Sequence, residues 1–196
     1  MKHVLYSIAL FAFLLISFRG NAQDRIVSTT PIKTEHMGLK LCDVSEDARI
    51  VQAVMHYTNK ELGTNLFVDS GNLGAITCVR LVTNGNIMYY GGGNWNNIDV
   101  YLNKDNKIAQ IQFSAIYKNV NQAKKAFEDF CTSLSNKYGK GNAPVVDNRF
   151  WTDNINTVGV NYEETAAVSG DDAVFFHLYY VNRALWSEIE AAMSDL

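Results

Sequence analysis

The chain holds three cysteines, Cys42, Cys78 and Cys131, and no CxxC pair. The missing pair removes a thioredoxin-like redox role, and the odd count leaves at least one thiol without an intrachain disulfide. Cys131 lies among Phe127, Phe130 and Leu134 at helical spacing, the setting of a buried core thiol. Cys42 and Cys78 are left as the disulfide candidates. Basic residues are also short: 17 Lys and Arg face 20 Asp and Glu, with no basic stripe. Nucleic acid affinity comes largely from clustered cations, so a nucleic acid partner is excluded, and an anionic membrane surface is disfavoured. HExxH, G-x-S-x-G, GxGxxG and a calcium loop are all absent. His36, His56 and His177 stand apart from one another, without metal-ligand spacing. No cofactor or metal is implied, and no catalytic residue stands out. Distant carboxylates of a hydrolase can still converge in a fold, so an enzyme stays as the third reading.

Long apolar runs are lacking too, with one exception at the start. Lys2 and His3 precede a largely apolar stretch from Val4 to Phe18, and Gly20 and Ala22 are small residues fit for cleavage before Gln23. This is the pattern of a cleavable export leader over residues 1–22. The run is shorter than the ~20 apolar residues a spanning helix needs. No cysteine stands at the cleavage site, so neither a lipid anchor nor a membrane span is expected. The predicted location is the periplasm or the medium. The absence of an N-x-Ser/Thr sequon favours a bacterial source.

What is present is the composition of a globular protein, 47% hydrophobic and 19% charged. Residues 23–36 form a polar leader containing Pro31, and residues 37–196 a single domain. Apolar residues recur at helical spacing over Ser45 to Leu62, with Gly63 as a stop. They do so again from Asn121 to Tyr138, with Gly139 as a stop. A closing helix is expected over 184–193. Strand alternation appears over 75–82, 98–102, 108–117, 157–163 and 173–181. In the strand 108–117, Ala109, Ile111, Phe113, Ala115 and Tyr117 are expected to face inward. Gln110, Gln112 and Ser114 are expected to face water. The predicted fold is α+β: two layers, an antiparallel sheet with helices on one face, in two helix-plus-hairpin halves of about 37–118 and 119–183.

The helix end Lys137-Tyr138-Gly139-Lys140, the segment Met37-Gly38-Leu39 and the tandem helix-plus-hairpin layout resemble exported bacterial proteins of the β-lactamase-inhibitor-protein-like group, which includes the SmpA/OmlA envelope domains. That resemblance implies protein binding without chemistry, and no functional residue carries over.

The strongest candidate surface is Met88 to Asn96, where Tyr89, Tyr90 and Trp95 flank Gly91-Gly92-Gly93, with Trp151 as an echo in the second half. Tyr and Trp at loop tips supply large contact area at low entropic cost. The expected function is a non-enzymatic binding protein that meets an extracytoplasmic protein through the open sheet face or these aromatic tips. The alternative is a carbohydrate- or small-ligand-binding module using the same aromatics.

Overall fold

Period-two alternation produces the sheet and period-3.6 stripes the helices. The computed structural model describes residues 25–58, 67–69, 76–82, 88–165 and 173–194. The expected export leader, residues 1–22, therefore lies outside the described residues, as do Leu62 and Gly63. In chain order the elements are β1 (Glu35–His36), β2 (Leu39–Lys40), α1 (Asp47–Thr58), β3 (Phe67–Asp69), β4 (Thr77–Val82), β5 (Met88–Tyr90), β6 (Gly93–Trp95), β7 (Asn97–Leu102) and β8 (Ile108–Tyr117). Then come α2 (Val120–Tyr138), β9 (Asn142–Val145), β10 (Asn148–Thr152), β11 (Asn156–Thr165), β12 (Ala173–Asn182) and α3 (Arg183–Ser194). The fold is α+β, built on an eight-stranded antiparallel sheet of order β3-β4-β7-β8-β12-β11-β10-β9. Among the described residues no helix is long and apolar enough to cross a membrane.

The order is symmetric about its centre. Each helix, α1 and α2, is followed by four sheet strands, and the last strand of each set meets its counterpart. The β8–β12 seam runs from Tyr117↔Val174 to Gln110↔Val181. The second helix shows why the boundaries fall where they do. The Asn119 side chain accepts from the Asn121 amide, capping an exposed donor. Gly139 ends the helix at φ 84°, and its amide donates to the Ser135 carbonyl. Between the caps, Ala123, Phe127, Leu134 and Tyr138 are buried on one face.

That face lies on the apolar side of the sheet. Val79, Leu81, Ile98, Val100, Ile111, Phe113, Phe176 and Leu178 form one continuous core with Ile50 and Val54 of α1 and the β5–β6 hairpin. Full burial of each such side chain contributes roughly 1.5–3 kcal/mol.

The opposite side departs from expectation. Gln110, Gln112 and Ser114 do not face water but are fully buried. Alternating polar residues signal a solvated face only when nothing covers it. At one end the cover is α3, whose Leu185, Trp186 and Ile189 pack on Tyr101, Tyr179 and Val181. The Trp186 ring meets Tyr101 edge-on at 5.9 Å. Thus α1 and α2 share one face while the closing helix takes the other. Ala109 also belongs with α3. A register shift between Tyr101 and Leu102 turns it away from Ile111, against the inward placement expected.

Candidate functional site

The aromatic stretch folds as a hairpin, not an open loop. Met88 pairs with Trp95, and Tyr90 with Gly93, through a turn at Gly91-Gly92 where φ is 59° and 91°. Pairing sends alternate side chains inward. Trp95 is 1% exposed and Tyr90 7%, whereas Tyr89 is 70% exposed. The Trp95 indole N–H donates to the Tyr90 carbonyl at 2.8 Å, and its ring stacks on Phe176 at 5.8 Å. Trp151, 1% exposed, repeats the device by donating to the Gly139 carbonyl at 2.8 Å. Both indoles lie against glycine, Gly93 and Gly141, where a Cβ would overlap the ring. Trp95, Tyr90 and Trp151 are therefore core residues and offer no contact area to a partner. Of the four aromatics expected to bind, Tyr89 alone faces solvent.

Tyr90 is committed to a further contact. Its hydroxyl lies 2.9 Å from His36 Nδ1, and His36 Nε2 lies 3.1 Å from the Lys33 carbonyl. A carbonyl only accepts, so Nε2 carries the proton and Nδ1 accepts from Tyr90. The imidazole stacks on Tyr180 at 3.6 Å. Burial lowers the His36 pKa to about 4; the Lys33 carbonyl opposes that shift, and the charges of Lys33 and Lys137 add to it. Every ring nitrogen is satisfied, so this cluster ties the leader segment to the core.

The expected Cys42–Cys78 disulfide is not formed. Cys42 is exposed in the turn before α1, with φ 73°, while Cys78 lies on the α3 side of β4 beside Tyr101. Cys131 is half-buried against the apolar core, and burial raises its thiol to about 11.

Polar side chains converge on the other side of the sheet. One row across the strands runs Arg80, Asp99, Gln112, Tyr179, Gly159 and Phe150. The next runs Asn97, Ser114, His177, Asn161 and Asn148. Arg80 grips Asp99 with two hydrogen bonds, of 2.6 and 3.0 Å. Burial works against the guanidinium charge and Asp99 more than restores it, so Arg80 is held above its ordinary value. Gly159 admits the Tyr179 ring over the backbone, since a Cβ there would stand inside the ring. The Tyr179 hydroxyl reaches Asn148 Oδ1 at 3.4 Å.

A directional chain links the middle of this layer. Gln110 Nε2 donates to Gln112 Oε1 at 2.9 Å. Gln112 Nε2 faces Ser114 Oγ at 3.4 Å and His177 Nδ1 at 3.3 Å. Ser114 Oγ donates to the same Nδ1 at 2.8 Å. Because an amide N–H faces Nδ1, that nitrogen is the acceptor and the imidazole proton sits on Nε2. Nε2 points toward Glu163 Oε1 at 3.8 Å, too far for a hydrogen bond. Among the described residues no partner reaches His177 Nε2, Asn161 Oδ1 or Gln110 Oε1, although all three atoms are buried.

Burial changes in steps along the strands. The row Ile116, Phe175 and Glu163 lies at the outer end, and Ile116 is 48% exposed. One pleat inward, His177 is 4% exposed, and Ser114 and Asn161 are equally enclosed. The Phe175 ring lies parallel to the imidazole at 6.2 Å. A separate groove of about 490 Å³ lies between the turn Asn103–Asp105 and α3, but Asn103 and Glu188 already pair across it at 3.1 Å.

Comparison with protein-family models, with curated proteins and with solved structures finds no match. Among the described residues no group of three or more His, Cys, Asp or Glu is placed to hold a metal ion. The sequence pattern marked Gln112, Ser114 and His177 as outward or minor-face residues. Their signal was the mixture of polar types on three strands, which becomes visible as a site only once β8, β12 and β11 are known to be neighbours.

Proposed function

We propose that the protein is a non-enzymatic, extracytoplasmic binding protein whose site is the polar layer between β8, β12 and β11, and that its ligand is a small polar molecule. The observation carrying this reading is the set of unpaired buried atoms on Gln110, Asn161 and His177. Each unsatisfied group costs about 1–3 kcal/mol, and such groups in a native fold call for a partner. The export leader supplies the location.

Ser114, His177 and Glu163 stand in the order nucleophile, imidazole, carboxylate, which raises hydrolysis as a second reading. One observation weighs against it. The strand of Ser114 is paired on both sides, so the local amides are spent in the ladder and none is left to cradle an oxyanion. Recognition of a protein keeps one supporting observation, the exposed Tyr89 on the β5–β6 hairpin.

Native mass spectrometry of the protein purified without denaturation tests the proposal. The expected result is a fraction carrying a small adduct that is lost on unfolding. A spectrum of bare protein, together with a pull-down whose captured partner is lost on Tyr89→Ser substitution, would overturn it in favour of protein recognition.

A further inference from the structure

We infer that residues 25–36 form an acid-released strap, latched onto the core by His36 and hinged at the turn that follows it. The strap lies on the helix side of the sheet, away from the polar layer, so its failure leaves the small-ligand reading untouched.

The segment is lightly held for its length. Ile32 and His36 are its two buried side chains. Elsewhere hydrogen bonds attach it: the amides of Ile26, Ser28 and Ile32 donate to Asn142 Oδ1, the Thr152 carbonyl and Asp153 Oδ2. Water replaces bonds of this kind at little net cost. Beyond His36 the turn at Met37-Gly38 has φ of 53° and 75°. From there the buried Met37, Leu39 and Leu41 hold the chain. Opening therefore stops at the turn, and in secondary structure it gives up the two residue pairs between β1 and β2.

The latch does not tolerate a charge. The His36 ring is 1% exposed, stacked on Tyr180 and edge-on to Tyr90 and Phe113. A proton on Nδ1 turns the acceptor of the Tyr90 hydroxyl into a second donor. The Tyr90 hydrogen then loses its acceptor, and its oxygen faces two cations, since Lys33 Nζ lies 3.4 Å away. The surroundings oppose the proton too. Lys33 on the strap and Lys137 on α2 both act against it. The other elements present the phenols of Tyr90 from β5 and Tyr180 from β12, with Tyr138 of α2 beside Tyr180, and the Phe113 ring from β8. Glu35 is exposed, on the other side of β1 from the ring. Among the described residues no carboxylate acts on His36.

The charged ring is therefore stable only in water, with the strap open. It titrates at about 4 when seated and at 6.5 when free, so the open strap binds more protons, and lowering the pH from 7.5 to 5 favours opening about 30-fold. Opening uncovers Tyr90, Tyr138 and Tyr180, none of which is more than 8% exposed beneath it. Acid thus reveals an aromatic surface that neutral surroundings keep covered.

The test is hydrogen exchange resolved by segment, on the protein as purified from the cell, at pH 7.5 and pH 5. Rates are corrected for the intrinsic effect of pH on exchange. Protection of residues 25–36 is expected to fall about 30-fold, while that of α2 and β8 changes less than threefold. His36→Gln, which keeps a donor and an acceptor but takes no proton, is expected to abolish the fall. Lys33→Gln, an exposed change that removes one of the two opposing cations, is expected to reduce the fall about twofold, and it decides the matter if His36→Gln does not fold. Equal loss of protection in the strap, α2 and β8 overturns the inference, because His36 then acts on global unfolding alone. Unchanged protection of the strap overturns it as well, since the ring then takes its proton in place. A fall that persists in His36→Gln, or is unaltered in Lys33→Gln, moves the acid response to another group and also overturns it.

Discussion

Strand β8 displays two chemistries on alternate residues. Ile111, Phe113 and Ala115 point toward α1 and α2, while Gln110, Gln112 and Ser114 point the other way, and both sets are buried. On the helix side, burial itself is the stabilising term, since apolar surface leaves water and asks for no partner. On the other side, each side chain must recover in hydrogen bonds what it loses from water, and three atoms do not recover it. The contrast separates the part of the molecule that supplies stability from the part that holds unused bonding capacity.

Truncating the apolar face should have the largest effect. Phe113 is fully buried against His36, Tyr90 and Trp95, and Phe113→Ala is expected to lower unfolding free energy by about 3–5 kcal/mol in urea titration. An effect under 1 kcal/mol would mean that the two faces do not differ as described.

Breaking the ion pair on the polar face comes next. Arg80→Ala leaves the buried Asp99 carboxylate without its main partner, for an expected loss of about 3 kcal/mol. The side chain of Arg80 is 30% exposed, so water admitted to the gap reduces this figure. The double variant Arg80→Met/Asp99→Leu should regain most of the loss, measured in the same way.

Acid separates the faces differently. His36 titrates at about 4 in the fold and at 6.5 when unfolded, so between those values the unfolded chain binds more protons. Stability therefore rises with pH across this window and is lost as pH falls through it, by on the order of 3 kcal/mol. Urea midpoints at intervals from pH 4 to 7 measure the slope, and His36→Gln should flatten it.

The smallest effect is expected at Gln110. Gln110→Met removes one hydrogen bond to Gln112 and also removes an unpaired buried oxygen. These oppose each other, and a net change under about 1 kcal/mol is expected. A loss above 3 kcal/mol would show that Gln110 is fully satisfied in solution.

Much of the frame was legible from residue order. The alternation of Ile98, Val100 and Leu102 placed β7, and the stripe from Ala123 to Tyr138 with Gly139 after it placed α2, because local periodicity and caps are written in adjacent residues. The site was not legible, for a physical reason. Ser114, His177 and Glu163 lie far apart in the chain and meet through strand order, which is set by long-range pairing. A polar residue on an alternating strand looks the same whether water or protein lies above it. The aromatics misled for a related reason. Glycine beside tryptophan suggested a loose loop, whereas Gly93 and Gly141 are small so that an indole can lie flat against the backbone.

The central seam has a consequence for how the chain is made. Because β8 joins the first set of strands to β12, its outer edge has no partner until α2 and β9 to β11 have been made and β12 follows. Until then a ten-residue strand offers open backbone hydrogen-bonding groups beside Ile111 and Phe113, the template on which chains cross-pair. A fragment ending after β8 should aggregate, and a full-length chain released before β12 docks is open to the same fate. Whatever holds the growing chain apart from its neighbours must act until β12 is in place.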